Sequence, residues 1–203
     1  MHALLLIDLQ NDFLPGGALA VTGGNAVIAV ANRLMESFDL VVATQDYHPT
    51  DHGSFASQHQ GVAVGDVFQL DGLAQVAWPD HCVAGTMGAE FSKNLQTDHI
   101  DHVVQKGTDP LVDSYSGFFD NDHRGVTGLH DYLQSKGVTE LTVMGLATDY
   151  CVKFTVLDAL ELGYVVNLIV EGCRGVNLNA GDVDAAIAHM QQAGAKMAPA
   201  SLA

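Results

Sequence analysis

The sequence predicts an α/β fold, an open and mostly parallel six-stranded sheet with helices on both faces in three layers. Three observations point there. Short apolar runs of strand length alternate with segments whose apolar residues recur at helical spacing. Helix punctuation falls where that spacing begins and ends, with Thr148 and Asp182 in front and Gly163 and Gly194 behind. The 203 residues, 48% of them hydrophobic, suit a single domain over 1–203 with a substantial core.

The elements follow in order. Residues 3–7 form the first strand; the opening run lacks a basic leader, and Asp8 stops it far short of a membrane span. After the turn signal Thr22-Gly23-Gly24, Val27, Val30, Ala31, Leu34 and Phe38 mark a helix. Residues 40–43, 102–105 and 141–144 give three more strands. Thr148 is placed to cap a helix whose Val152, Val156, Ala159 and Leu160 share a face, ending at Gly163. A fifth strand covers 165–170. Asp182 is placed to cap the last helix, with Val183, Ala186, Ile187 and Met190 inward, before a short strand at 195–198.

Residues 45–98 show little periodicity. A compact domain rarely keeps so long a loop without using it. This stretch holds four histidines, the only tryptophan and one cysteine, so it is expected to form a wall of a metal and substrate site.

Charge narrows the partners. Eight Lys plus Arg face 24 Asp plus Glu, a formal net charge of −16, and such a surface repels nucleic acid and anionic membranes. A small-molecule substrate is the expected partner. Three cysteines, an odd number, and no secretion signal imply reduced thiols and a cytoplasmic location.

In an open α/β sheet, ligands bind beyond the carboxyl ends of the strands. Asp8 ends the first strand, Lys106 the third, and Cys151 lies in the first helical turn after the fourth. A helix N-terminus and an ammonium both favour a thiolate, while a carboxylate can take the thiol proton and return it to a leaving amine. Taken singly these are an ordinary strand-end acid, a surface lysine and a buried thiol; Cys82 and Cys173 keep that plain reading. A second cluster comprises Asp46, His48, His52, Ser54 and His81. Asp-x-His after a strand puts an oxygen and a nitrogen on the same side of an extended chain. That mixed set suits one divalent transition metal, Zn, Fe or Mn, better than Ca²⁺; solvated loop histidines are the alternative. The remaining histidines show no grouping.

Taken together, these segments resemble the nicotinamidase/pyrazinamidase branch of the isochorismatase-like cysteine hydrolases. The matching pieces are Leu6-Ile7-Asp8-Leu9-Gln10-Asn11-Asp12-Phe13, Ala43-Thr44-Gln45-Asp46-Tyr47-His48-Pro49 and Trp78-Pro79-Asp80-His81-Cys82. Gln105-Lys106-Gly107, Ser114-Tyr115-Ser116-Gly117-Phe118 and Gly145-Leu146-Ala147-Thr148-Asp149-Tyr150-Cys151-Val152 complete the set in family order. The resemblance implies an isochorismatase-like fold and hydrolysis of nicotinamide to nicotinate and ammonia through a thioester, with pyrazinamide also accepted. It makes Cys151 the nucleophile, Asp8 the base and then acid, and Lys106 the cation beside the thiolate. The backbone N–H groups of Ala147 and Cys151 would hold the oxyanion, with a cis peptide before Ala147. Asp46, His48 and His81 match metal ligands that leave a position for the pyridine nitrogen; ungapped spacing puts the fourth on Ser54, with His52 the alternative. Phe13, Trp78 and Tyr115 match an aromatic pocket, Tyr150 receives no role, and no organic cofactor is implied. Related N-carbamoyl or ureido amidases keep Asp, Lys and Cys but lack the metal ligands. Isochorismatases proper lack the cysteine, and a non-catalytic metal-binding protein is a further alternative. Monomer and homo-oligomer both stay open.

Overall fold

The computed structural model describes residues 1–200, with eight strands and four α-helices. In chain order they are β1 (His2–Ile7), α1 (Ala26–Met35), β2 (Val41–Asp46), β3 (Val67–Leu70), β4 (Leu73–Val76) and β5 (His102–Lys106). There follow α2 (Leu129–Ser135), β6 (Glu140–Leu146), α3 (Lys153–Glu161), β7 (Val165–Arg174), α4 (Asp182–Ala193) and β8 (Lys196–Ala198). Six strands form one sheet in the order β5-β2-β1-β6-β7-β8. Every pairing in it is parallel, so no antiparallel edge strand is added.

The central strand explains the apolar opening of the chain. Ala3 to Ile7 are wholly buried because β1 is flanked by β2 and β6 and covered on both faces. From β1 the chain winds outward through β2 to β5, then returns to β6 and winds the other way. Right-handed crossovers in opposite directions place α1 on one face and α3 with α4 on the other. The reversal between β1 and β6 is the point where this kind of sheet opens a crevice.

Gly145 fits that crevice. It has φ +135, and a Cβ there would strike the Ile7 carbonyl on β1. The β6–β7 register shifts beside it, between Val143 and Gly145, and the next peptide, Leu146–Ala147, is cis.

Several sequence expectations need correction. The 45–98 region contains an antiparallel hairpin, β3 with β4. Helix α2 was not foreseen, because only Leu129 and Leu133 of its seven residues are buried and two positions do not show a period. Thr148 does not cap an α-helix: it begins a π-helical turn, Thr148–Val152, from which α3 continues. Asp182 is already inside α4, whose cap position is Gly181. Helix α1 ends at Met35, leaving Phe38 outside it. Among the described residues no helix is long and apolar enough to cross a membrane.

Candidate active site

Four strand ends meet at the crevice, and each delivers one reactive group. Asp8 follows β1, Asp46 ends β2, Lys106 ends β5, and Cys151 lies in the π turn after β6. All four are buried, and their side chains converge. Lys106 Nζ donates to Asp46 Oδ1 at 2.5 Å, to the Ser114 carbonyl at 2.9 Å and to Cys151 Sγ at 3.3 Å. It also lies 3.0 Å from Asp8 Oδ2. One oxygen each of Asp8 and Asp46 and the Cys151 sulfur lie within 4.8 Å of one another.

Asp8 is held by one oxygen and left open at the other. Thr44 Oγ1 donates to Oδ1 at 2.6 Å and accepts the Asp8 backbone N–H at 3.2 Å. Oδ2 is buried without a well-aligned hydrogen bond, although the ammonium is beside it. A free lone pair near a thiol is the arrangement a proton acceptor needs.

The electrostatics divide the labour. Burial alone would lower the pKa of Lys106, but Asp46 and Asp8 outweigh it and hold the ammonium well above its usual range. Burial would raise Asp46, but Lys106 and His48 overcome it and keep that carboxylate ionised. Burial dominates at Asp8 and raises it despite Lys106. At Cys151, burial together with Asp8 and Asp46 outweighs Lys106, so the thiol is pushed well above its ordinary pKa. Asp8 Oδ2 and the Cys151 sulfur both lie beside the Lys106 ammonium.

The second cluster sits on the other side of Asp46. His48 Nδ1 lies 2.8 Å from the Gly107 carbonyl and His81 Nδ1 lies 2.8 Å from the Pro79 carbonyl. A carbonyl only accepts, so both rings carry their proton on Nδ1 and present an Nε2 lone pair. Those two Nε2 atoms stand 3.7 and 3.9 Å from Asp46 Oδ2. One ligating atom each from Asp46, His48 and His81 lies within 4.8 Å of the others, a mixed oxygen and nitrogen set of the kind that holds a cation; without one, Asp46 outweighs burial and raises the pKa of His48. Burial, with His48 nearby, holds His81 down to about 4, so it stays a neutral ligand. Gly107 makes the His48 position possible: at φ +63 its missing Cβ leaves room for the imidazole, about 2.6 Å from that Cβ position at Nδ1.

His52 and Ser54 are wholly buried beside this cluster. His52 Nδ1 accepts the Ser54 backbone N–H at 3.2 Å and lies 2.7 Å from Ser54 Oγ. That puts the His52 proton on Nε2, which has no partner. A ligating atom each from His48, His52 and Asp113 also fall within 4.8 Å of one another.

Above the sulfur is a pocket walled by Phe13, Trp78, Tyr115 and Tyr150 and floored by Cys151, Ala147, Asp46 and His81. Trp78 Nε1 donates to Tyr115 Oη at 3.2 Å. Leu19, Val176 and Asp113 also line it and were missed in the sequence, as were Thr44 and Gln10. Gln10 clamps the backbone of Asp46, accepting its N–H at 2.8 Å and donating to its carbonyl at 2.7 Å. Gln10 and Thr44 lie inside the matching segments, but nothing in their spacing marks them as supports.

Comparison with known proteins agrees with this geometry. The chain is 56% identical over 200 residues to the nicotinamidase of Escherichia coli (strain K12), covering 97% of this chain and 93% of that one. A nicotinamidase/pyrazinamidase structure from Acinetobacter baumanii superposes with a TM-score of 0.95 at 40% identity, covering 98% and 96% of the two chains. A Pyrococcus horikoshii pyrazinamidase in complex with zinc superposes at 0.80 with 35% identity, covering 98% of each chain. The isochorismatase-domain profile matches residues 2–201, and the chain belongs to the isochorismatase family.

Proposed function

We propose that this chain hydrolyses nicotinamide to nicotinate and ammonia through a thioester on Cys151, accepts pyrazinamide as well, and works as one domain. The observation that carries the reading is the meeting of the Cys151 sulfur, the Lys106 ammonium and the open oxygen of Asp8 beneath an aromatic pocket. Asp46, His48 and His81 cluster beside it, Asp46 and His81 lining the pocket.

Asp46, His48 and His81 are the residues that would hold a divalent ion, and its chemistry there is an open coordination position for a ring nitrogen. Zn, Fe and Mn all suit this set. Ser54 serves as a fourth ligand better than His52. Donating its hydroxyl proton to His52 Nδ1 leaves the Ser54 oxygen lone pairs free, whereas the His52 Nε2 carries a proton.

Phe13, Trp78 and Tyr115 hold a flat ring by its faces and edges and place its carboxamide over the sulfur. Asp8 removes the Cys151 proton as sulfur bonds to the carbonyl carbon. Lys106, fixed by Asp46, supplies the positive charge that offsets the growing negative one. The N–H groups of Ala147 and Cys151 hold the carbonyl oxygen as it becomes anionic. Asp8 then returns its proton to nitrogen as the C–N bond breaks, so ammonia leaves and a thioester remains. In the second half Asp8 takes a proton from water, the new hydroxyl bonds to the acyl carbon, and the sulfur departs and is reprotonated. The three unpaired thiols fit a reducing compartment, the cytoplasm, where nicotinate supplies pyridine-nucleotide synthesis.

The test is ammonia release from nicotinamide by the purified protein, before and after a chelator. Turnover that falls with chelation and returns with Zn²⁺, Fe²⁺ or Mn²⁺ is expected. A protein that carries metal yet releases no ammonia would overturn the reading.

A further inference from the structure

We propose that Tyr150 limits the size of the carboxamides accepted here, because its ring stands between the catalytic pocket and an open cleft beside it. This inference rests on the amidase reading above.

The free space in the catalytic pocket is about 30 Å³. That is room for about two water molecules, so the walls decide which rings fit. Of the four rings in the pocket's wall, Phe13 is buried and packs edge-on to His81, and Trp78 and Tyr115 are tied to each other. Trp78 is 4% exposed and bonded through Nε1 to Tyr115 Oη. Tyr115 Oη also lies 3.0 Å from Nε2 of Gln75, a buried β4 side chain that donates to Asp113 Oδ2 at 2.8 Å. These contacts fix Trp78 and Tyr115 to each other and to the hairpin. Tyr150 is half-buried and held by its ring, which meets Trp78 edge-on at 4.9 Å and 85° and Tyr115 at 5.3 Å and 69°. Edge contacts of this kind are weaker constraints than a buried hydrogen-bond chain.

On the other side of Tyr150 lies an open cleft of about 380 Å³ between β4, α3 and α4, bordered by Val76, Phe154 and Ala186 and by the polar Lys153, Asp182 and His189. Tyr115 and Tyr150 line both spaces. Truncating Tyr115 would also release Trp78, whereas truncating Tyr150 removes a partition and leaves the tied pair in place. The nearby Asp149 is committed elsewhere, its two oxygens accepting the backbone N–H groups of Val176 and Asn177. The joined space would accept pyridine carboxamides bearing a short substituent on a ring carbon remote from the amide, its alkyl part lying against Val76, Phe154 and Ala186.

The experiment compares kcat/KM, by ammonia release, for nicotinamide and its methyl, ethyl and propyl ring derivatives. It uses metal-loaded wild type, Tyr150→Ala, Tyr150→Leu and Tyr150→Phe. The ratio of substituted to unsubstituted substrate should rise by about tenfold or more in Tyr150→Ala, the scale of hydrophobic-pocket discrimination. Tyr150→Leu should rise less, and Tyr150→Phe should keep the wild-type ratio because it keeps the ring. If Tyr150→Ala does not fold, Tyr150→Leu decides alone. Ratios unchanged in variants that still hydrolyse nicotinamide overturn the inference and leave the amidase reading standing. So does Tyr150→Phe changing as Tyr150→Ala does, or folded Ala and Leu variants without turnover. A wild type that releases no ammonia from nicotinamide overturns both.

Discussion

The Lys106 ammonium lies 3.3 Å from the sulfur of Cys151, yet the thiol is pushed well above its ordinary pKa. Burial is the first cause, and Asp8 at 3.0 Å and Asp46 at 2.5 Å from the ammonium add to it by drawing on the same charge. Lys106 moderates the cost of forming a thiolate rather than abolishing it.

Removing that charge should therefore make the thiol harder to ionise. In metal-loaded protein, the alkylation rate of Cys151 against pH should move to more alkaline values in Lys106→Met. The sign follows from the raised Cys151 pKa, where burial and the two carboxylates push upward and Lys106 is the group opposing them. Lys106→Arg keeps the charge and should lie between. Lys106→Met should also lower stability by about 3–5 kcal/mol, because it strands buried carboxylates. Coincident alkylation profiles would leave Lys106 a purely structural role.

Cys151→Ala should fold and give no turnover, since no other side chain at the crevice can form the thioester. Cys173→Ala is the control: its thiol is pushed up to about 12 by burial and faces the Ile169 carbonyl, so most activity should remain. Mass spectrometry of acid-quenched enzyme would show an acyl adduct in wild type only. Substantial turnover by Cys151→Ala would end the covalent mechanism.

His81→Ala should lose bound metal, measured by elemental analysis of the purified protein against about one ion per chain in wild type. Its Nε2 lies 3.9 Å from Asp46 Oδ2 in the cluster with His48, and its Nδ1 lies 2.8 Å from the Pro79 carbonyl. KM should rise more than kcat falls, because the loss is in anchoring the ring rather than in moving the proton. Unchanged metal content would remove His81 from the ligand set.

The sequence made the reactive groups legible because each sits at a strand end, where the chain order of an α/β sheet already puts ligands. The apolar runs before Asp8, Lys106 and Cys151 placed them at one edge of the sheet, and the family resemblance gave them their expected roles. Their supports were not legible. Thr44 and Gln10 act across 36 residues, and such a contact leaves no local pattern. Asp113 follows no strand and belongs to no recognisable spacing. The β3–β4 hairpin did leave a signal, the pair Asp71-Gly72 between two short apolar runs. Their φ angles of 45° and 84° suit the tight turn that such a pair favours. The raised Cys151 pKa lay beyond sequence altogether, because it depends on how much water the folded crevice excludes.

Asp8 is the residue whose role separates proton transfer from charge. Its Oδ1 is occupied by the Thr44 hydroxyl, and its Oδ2 faces Lys106 and the sulfur with no well-aligned donor. Asp8→Asn keeps the shape but replaces an acceptor oxygen with an amide at one of these two places. If the amide nitrogen takes the Oδ2 position, it faces an ammonium; if it takes Oδ1, it faces a hydroxyl that can reverse its donation. Neither orientation can accept the thiol proton, so the first chemical step loses its base and ammonia loses its acid. The loss in kcat should be at least about 10²–10⁴-fold, the usual contribution of general acid–base catalysis. Metal content should be unchanged, since Asp46, His48 and His81 keep their places. Single-turnover measurements with nicotinamide would locate the defect, with thioester formation slowed along with its hydrolysis. A variant that formed the thioester at the wild-type rate and failed only in hydrolysis would move the first proton transfer to another group, and Asp8 would serve the water alone.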